Sequence, residues 1–239
     1  MRDDGFRRTA IAIGVLFWIS NLVTVIGSAI SGQIPTTAGG LGAVQLHTSQ
    51  FTAGTLISHV NDAAIVGYAV LLFPVLSRYS PGLALSYTAF KVIEGVLLLA
   101  GAATLLSLAT LKPGQLAPGS ADLALTQVFW LGRLATFAYL VATPILNLVL
   151  LRTRVVPQAL SLLGLAGCAL LVTGLAIGVG DPTRGFQPGQ LLVIPIILWE
   201  LALATWLVVK GFSDAQAEPE SKLRPGYHNL VGDFGDARI

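Results

Sequence analysis

The sequence predicts an all-α, polytopic integral membrane protein with six transmembrane helices and both termini in the cytoplasm. Three observations lead there: charge is scarce, it is concentrated at the ends, and long apolar runs repeat between. Of 239 residues, 54% are hydrophobic and 11% charged, where an average soluble domain has about 25% charged residues. Mean hydropathy is +0.76. Five charges fall in residues 1–8 and eight in residues 212–239, which leaves a nearly uncharged body.

A helix needs about 20 mostly apolar residues to cross a hydrocarbon core of about 30 Å, and six stretches meet that length. The first, 9–30, follows Arg7-Arg8 as a secretory signal would. It exceeds the usual signal core of about 7–15 residues, carries Asn21 and lacks a clean small-x-small cleavage site, so it reads as a span. A connection with Pro35 and Gly39-Gly40-x-Gly42 leads to the second span, 52–77, and Arg78-Tyr79-Ser80-Pro81-Gly82 supplies a tight turn into the third, 83–110. Pro113-Gly114 and Pro118-Gly119 break the chain before the fourth, 124–151. Arg152-Thr153-Arg154 turns it into the fifth, 156–180, and Pro182 and Pro188 precede the sixth, 190–211.

These runs are too long for barrel strands, and backbone groups in lipid must be satisfied within the segment, so each is a helix. Residues 1–211 thus form one transmembrane domain. Residues 212–239, rich in Asp, Glu, Pro, Gly and Ser, bury too little apolar surface to order themselves and are expected to be a disordered cytoplasmic tail.

Orientation follows from the basic flanks. Arg2, Arg7, Arg8, Arg78, Arg152, Arg154, Lys210, Lys222, Arg224 and Arg238 lie on one side, against Lys112 and Arg184 on the other. The richer side is expected to be the cytoplasm of a bacterial cell, with the chain in the inner (plasma) membrane. A net charge of +2 without a basic patch argues against nucleic acid as a partner. Cys168 stands alone, and no Cys/His grouping has metal-ligand spacing, so no metal and no cofactor are expected.

Several segments carry a family likeness. Arg8-Thr9-Ala10 with Gly14 and Phe17, Phe90-Lys91-Val92-Ile93-Glu94, Pro157-Gln158-Ala159-Leu160 with Gly164 and Gly167, and Glu200 with Trp206-Leu207 and Lys210-Gly211 resemble successive helices of the bacterial membrane family called domain of unknown function 4386. Asp62 falls where that family tends to have an aspartate. Lys91 and Gln158 stand where arginine is commoner. The resemblance covers roughly residues 7–212; it implies a six-helix membrane fold and no particular activity.

Five charges lie inside the spans: Asp62, Lys91, Glu94, Arg133 and Glu200. Each costs about 2.5–3.5 kcal/mol at a helix centre, so none should face lipid. At about 1.5 Å per residue all five lie roughly 12–16 Å below a span end, near the midplane. They are expected to converge on one interior layer. Thr55, His59 and Asp62 share a face of span 2, and Tyr87, Lys91 and Glu94 a face of span 3. Asn21, Thr24 and Ser28 form a stripe in span 1, and Trp130 and Arg133 share a face of span 4. Pro195 is expected to kink span 6 and free a carbonyl near Glu200. Gly174-x-x-x-Gly178 suits close helix contact in span 5.

Three carboxylates against two cations leave one surplus carboxylate, a site for a proton, an ion or a small molecule. The candidate site is therefore Asp62, Lys91, Glu94, Arg133 and Glu200, with His59, Tyr87 and Asn21. No catalytic residue is assigned: there is no Gly-x-Ser-x-Gly, no His-Glu-x-x-His and no clustered histidine set, which disfavours an enzyme. Two classes stand ahead of an intramembrane enzyme, a binder or translocator of a small ligand, and an accessory membrane protein whose buried charges fix helix packing. The lipid bilayer is the certain partner. Six helices are few for a transporter acting alone, which keeps a homo-oligomer among the expected partners.

Overall fold

The computed structural model describes residues 2–32, 42, 44–111, 115, 117, 119–176 and 188–212. Among them the long regular elements are all helices: α1 (Arg2–Ser31), α2 (Thr48–Leu76), α3 (Pro81–Thr110), α4 (Ser120–Thr153), α5 (Gln158–Ala176) and α6 (Ile194–Val209), the last entered through a 3₁₀ segment, Pro188–Val193. The tail 213–239, and Lys112, Arg184 and Gly178 of the sequence reading, lie outside the described residues.

Six segments are long and apolar enough to cross a membrane, from Gly5–Ser31 to Leu191–Val209. Only 28–44% of the most apolar window of each is buried within the protein. The rest, including Leu22, Val25, Leu85, Val96 and Leu123, faces outward. An apolar surface of that extent is incompatible with water and matches lipid. The chain is a multi-pass, all-helical membrane protein.

Local chemistry sets the helix ends. Pro81 opens α3 in the first turn, where its missing N–H costs nothing. Gly32, Gly119 and Gly211 adopt positive φ next to α1, α4 and α6. Arg154 does so without being glycine (φ 54°), and its N–H closes the last turn of α4 on the Leu150 carbonyl. Pro195 departs from expectation. It lies in the first turn of α6, directly after the 3₁₀ segment, where no intrahelical N–H is required, so it shapes the start of the helix instead of kinking its middle.

Each helix packs on its sequence neighbours, and α6 packs back on α1, so the six form a closed ring. Glycines set the tightest crossings among the described residues. A Cβ on Gly27 or Gly54 would collide with backbone atoms of the opposite helix at the α1–α2 contact, and one on Gly14 would lie 2.7 Å from the Ala204 carbonyl of α6. The main apolar core fills the ring from Ala10, Ile13 and Phe17 of α1 to Trp199, Leu203 and Leu207 of α6.

Candidate functional site inside the helix ring

Two turns of α3 bring Tyr87, Lys91 and Glu94 onto one inward face, and all three are buried. Lys91 Nζ lies 2.9 Å from Glu94 Oε2, an i,i+3 ion pair within a single helix. The ammonium also sits over two aromatic rings, 4.3 Å from the centre of Tyr139 on α4 and 5.6 Å from that of Tyr68 on α2. Tyr68 is held in place by stacking on Phe17 of α1, with ring centres 4.0 Å apart.

Glu200 approaches from α6. Its Oε1 accepts a 2.9 Å hydrogen bond from the Tyr139 hydroxyl, while the Asn21 amide of α1, a further polar neighbour, donates to the Phe17 carbonyl of its own helix at 3.0 Å. Beyond direct ion-pair distance, the charges of Lys91 and Glu200 still act on one another across the interior. The central layer therefore holds one lysine between two carboxylates on different helices.

A second polar group lies beside it on α2. His59 Nδ1 and Asp62 Oδ2 are 2.6 Å apart, and Asn61 donates to Asp62 Oδ1 at 3.2 Å. Asn61 in turn accepts from Ser20 of α1, which ties the two helices together. Asp62 is almost completely buried, whereas the His59 side chain keeps 22% of its exposure. Asp62 and Glu94 are near enough to influence one another electrostatically. Thr55 is buried one helical stripe from His59, as the spacing implied.

Arg133 departs from the expected convergence. It lines a lateral groove with Phe129, Trp130, Phe137, Leu140 and Leu175, and its guanidinium carbon lies 5.0 Å from the centre of the Phe129 ring. Asp62 meets the His59 ring nitrogen, and Glu94 pairs with Lys91. The expectation for Arg133 rested on depth along the helix, and depth does not fix azimuth. Phe129, Arg133 and Phe137 repeat every four residues and share one stripe, while Tyr139, Thr143 and Asn147 occupy another.

Sequence reasoning missed Tyr139, Tyr68, Asn61 and Ser20. The Tyr139-Thr143-Asn147 repeat was a signal for an inward polar stripe on α4. Tyr68 lies seven residues after Asn61, on the same face of α2, and its aromatic ring there is not separable from core packing by spacing alone.

The sequence model of a family described as domain of unknown function (DUF4386) matches residues 9–211. The chain belongs to the DUF4386 family. The match runs from the first span through the end of α6, so every helix that contributes to the polar layer lies within the DUF4386 region. No curated protein and no solved structure matches this DUF4386 chain.

Proposed function

We propose that this DUF4386 protein binds, and moves across the bilayer, a proton, an ion or a small ligand at its central polar layer. The observation that carries the reading is the charge balance inside the ring. Glu94 and Glu200, on helices that do not adjoin in the ring, share Lys91 as their cation. Ionisable groups in a membrane interior are expensive, and a layer with more carboxylates than cations takes up positive charge from outside. Asp62 with the partly accessible His59 extends the layer toward the surface, with Tyr87 and Asn21 completing its lining. Arg133 serves this reading from the side groove, as a basic site on the lipid-facing flank of α4. We place both termini in the cytoplasm of a bacterial inner membrane, on the side rich in Arg7, Arg8, Arg78, Arg152 and Arg154. A homo-oligomer would bring further helices to the pathway.

Glu94→Gln and Glu200→Gln, alone and together, test the function in proteoliposomes loaded with a pH-sensitive dye. Lost proton or ion uptake by variants that still reconstitute as folded protein is the expected result, with a lowered melting temperature wherever Lys91 loses Glu94. Wild-type uptake in the double variant defeats it.

A second reading has its own support. Ser20, Asn61, Asp62 and His59 form a continuous polar network at the α1–α2 contact, which suits the fixing of helix register in an accessory membrane protein.

A further inference from the structure

Lys91 has more partners than one buried ammonium needs. Glu94 lies 2.9 Å away, the Tyr139 and Tyr68 rings present their faces at 4.3 and 5.6 Å, and Glu200 and Tyr87 act on it electrostatically. The Tyr87 hydroxyl, fully buried, has no hydrogen-bond partner among the described residues. Two aromatic faces, two carboxylates and an unused hydroxyl thus surround a single cationic head delivered on a four-carbon stem.

That composition is the one that recognises organic ammonium ions. Ring quadrupoles attract a cation without demanding directional ligands, and carboxylates supply the counter-charge. A divalent metal would instead need several converging oxygen or nitrogen donors. Among the described residues no three His, Cys, Asp or Glu side chains are placed to hold one. We infer that the cage formed by Tyr68, Tyr87, Glu94, Tyr139 and Glu200 is a binding site for a small primary alkylammonium ion, with Lys91 as its tethered occupant. The lysine fills the cage when no ligand is present and competes with a ligand that arrives. The inference rests on the proposed function, because it names the ligand class of the same layer.

Lys91→Ala removes three carbons and the ammonium, so n-propylammonium is the matching fragment. Thermal unfolding of purified Lys91→Ala is measured with n-propylammonium chloride, with n-propanol as an uncharged fragment of the same length, and with sodium chloride at equal ionic strength. The expected result is a concentration-dependent recovery of at least half of the lost melting temperature with n-propylammonium alone. Equal recovery with n-propanol, or none with any additive, overturns the inference. A variant that folds only when n-propylammonium is present during growth and extraction supports it, and one that folds under neither condition counts against it. If Glu94→Gln and Glu200→Gln abolish uptake but n-propylammonium does not rescue Lys91→Ala, the tethered occupant falls and the proposed function stands. Rescue together with wild-type uptake in the double glutamine variant gives the opposite outcome.

Discussion

Tyr139 and Glu200 are joined by a 2.9 Å hydrogen bond even though α5 separates their helices around the ring. The bond spans the interior and ties α4 directly to α6. Tyr139 therefore has two separable tasks, a hydroxyl for Glu200 and a ring face for Lys91. Tyr139→Phe keeps the second and deletes the first, whereas Tyr139→Leu deletes both. Interhelical hydrogen bonds in membranes contribute about 1–2 kcal/mol or less. A loss of roughly 1 kcal/mol is expected for Tyr139→Phe and a larger loss for Tyr139→Leu, measured by unfolding in mixed detergent micelles. Equal losses in the two variants would show that the ring face contributes nothing.

The Lys91–Glu94 pair is expected to behave as a unit. Removing one member of a buried ion pair strands the other, typically at about 3–5 kcal/mol, while replacing both by neutral groups is far milder. Lys91→Met should therefore destabilise strongly, and Glu94→Gln added to it should restore a substantial part of the loss. A double-mutant cycle measures the coupling. Strict additivity of the two changes would mean that the pair seen at 2.9 Å is not energetically linked.

Glycine substitutions should divide sharply by position. A methyl group on Gly54 meets the Ser31 backbone nitrogen and the Gly27 carbonyl, neither of which can rotate away. Gly54→Ala and Gly27→Ala must push α1 from α2, and overpacking of this kind costs about 1–3 kcal/mol or more. Around Gly101 and Gly132 there is open space, and an alanine there should be neutral or stabilise by up to about 1 kcal/mol through helix propensity. Thermal shifts of the four single variants, measured side by side, check the contrast.

The end of the bundle near Phe6 is held by Arg78, whose guanidinium carbon lies 3.9 Å from the centre of the Phe6 ring. That contact places the start of α1 beside the α2–α3 turn. In a Cys168→Ser background, a cysteine at the exposed Tyr79 position should react with an impermeant maleimide only when the cytoplasmic face is open to the reagent. Leu46, exposed near the start of α2, should show the opposite sidedness. The reverse pattern in both would invert the proposed orientation.

The hydropathy and turn chemistry made the number and order of helices readable, because length and apolarity in lipid permit only one backbone solution. The inward face of α3 was equally legible: Tyr87, Lys91 and Glu94 repeat at helical spacing on one side of an otherwise apolar helix. Ring closure was not. The α1–α6 contact joins residues nearly two hundred positions apart through Gly14 and Ala204, and small residues abundant in every span carry no address for their partners. Arg133 illustrates the same limit from the other side. Depth along a span follows from counting residues, but only the packing of α4 against its neighbours decides which stripe turns inward. The aromatic half of the Lys91 cage was hidden because Tyr68 and Tyr139 are as ordinary in a core as in a binding site.

Closure of the ring by α1 and α6 also fixes a schedule for biogenesis. Of the six helices α6 is made last, so α1 sits in the bilayer through four helical insertions before the helix that closes the ring on it exists. During that interval Lys91 and Glu94 can already neutralise one another within α3, so a doubly charged segment enters the bilayer without net charge. Glu200 arrives after them and finds Tyr139 waiting. The layer that unites the finished protein is thus completed only when the last of the six helices closes the seam against α1.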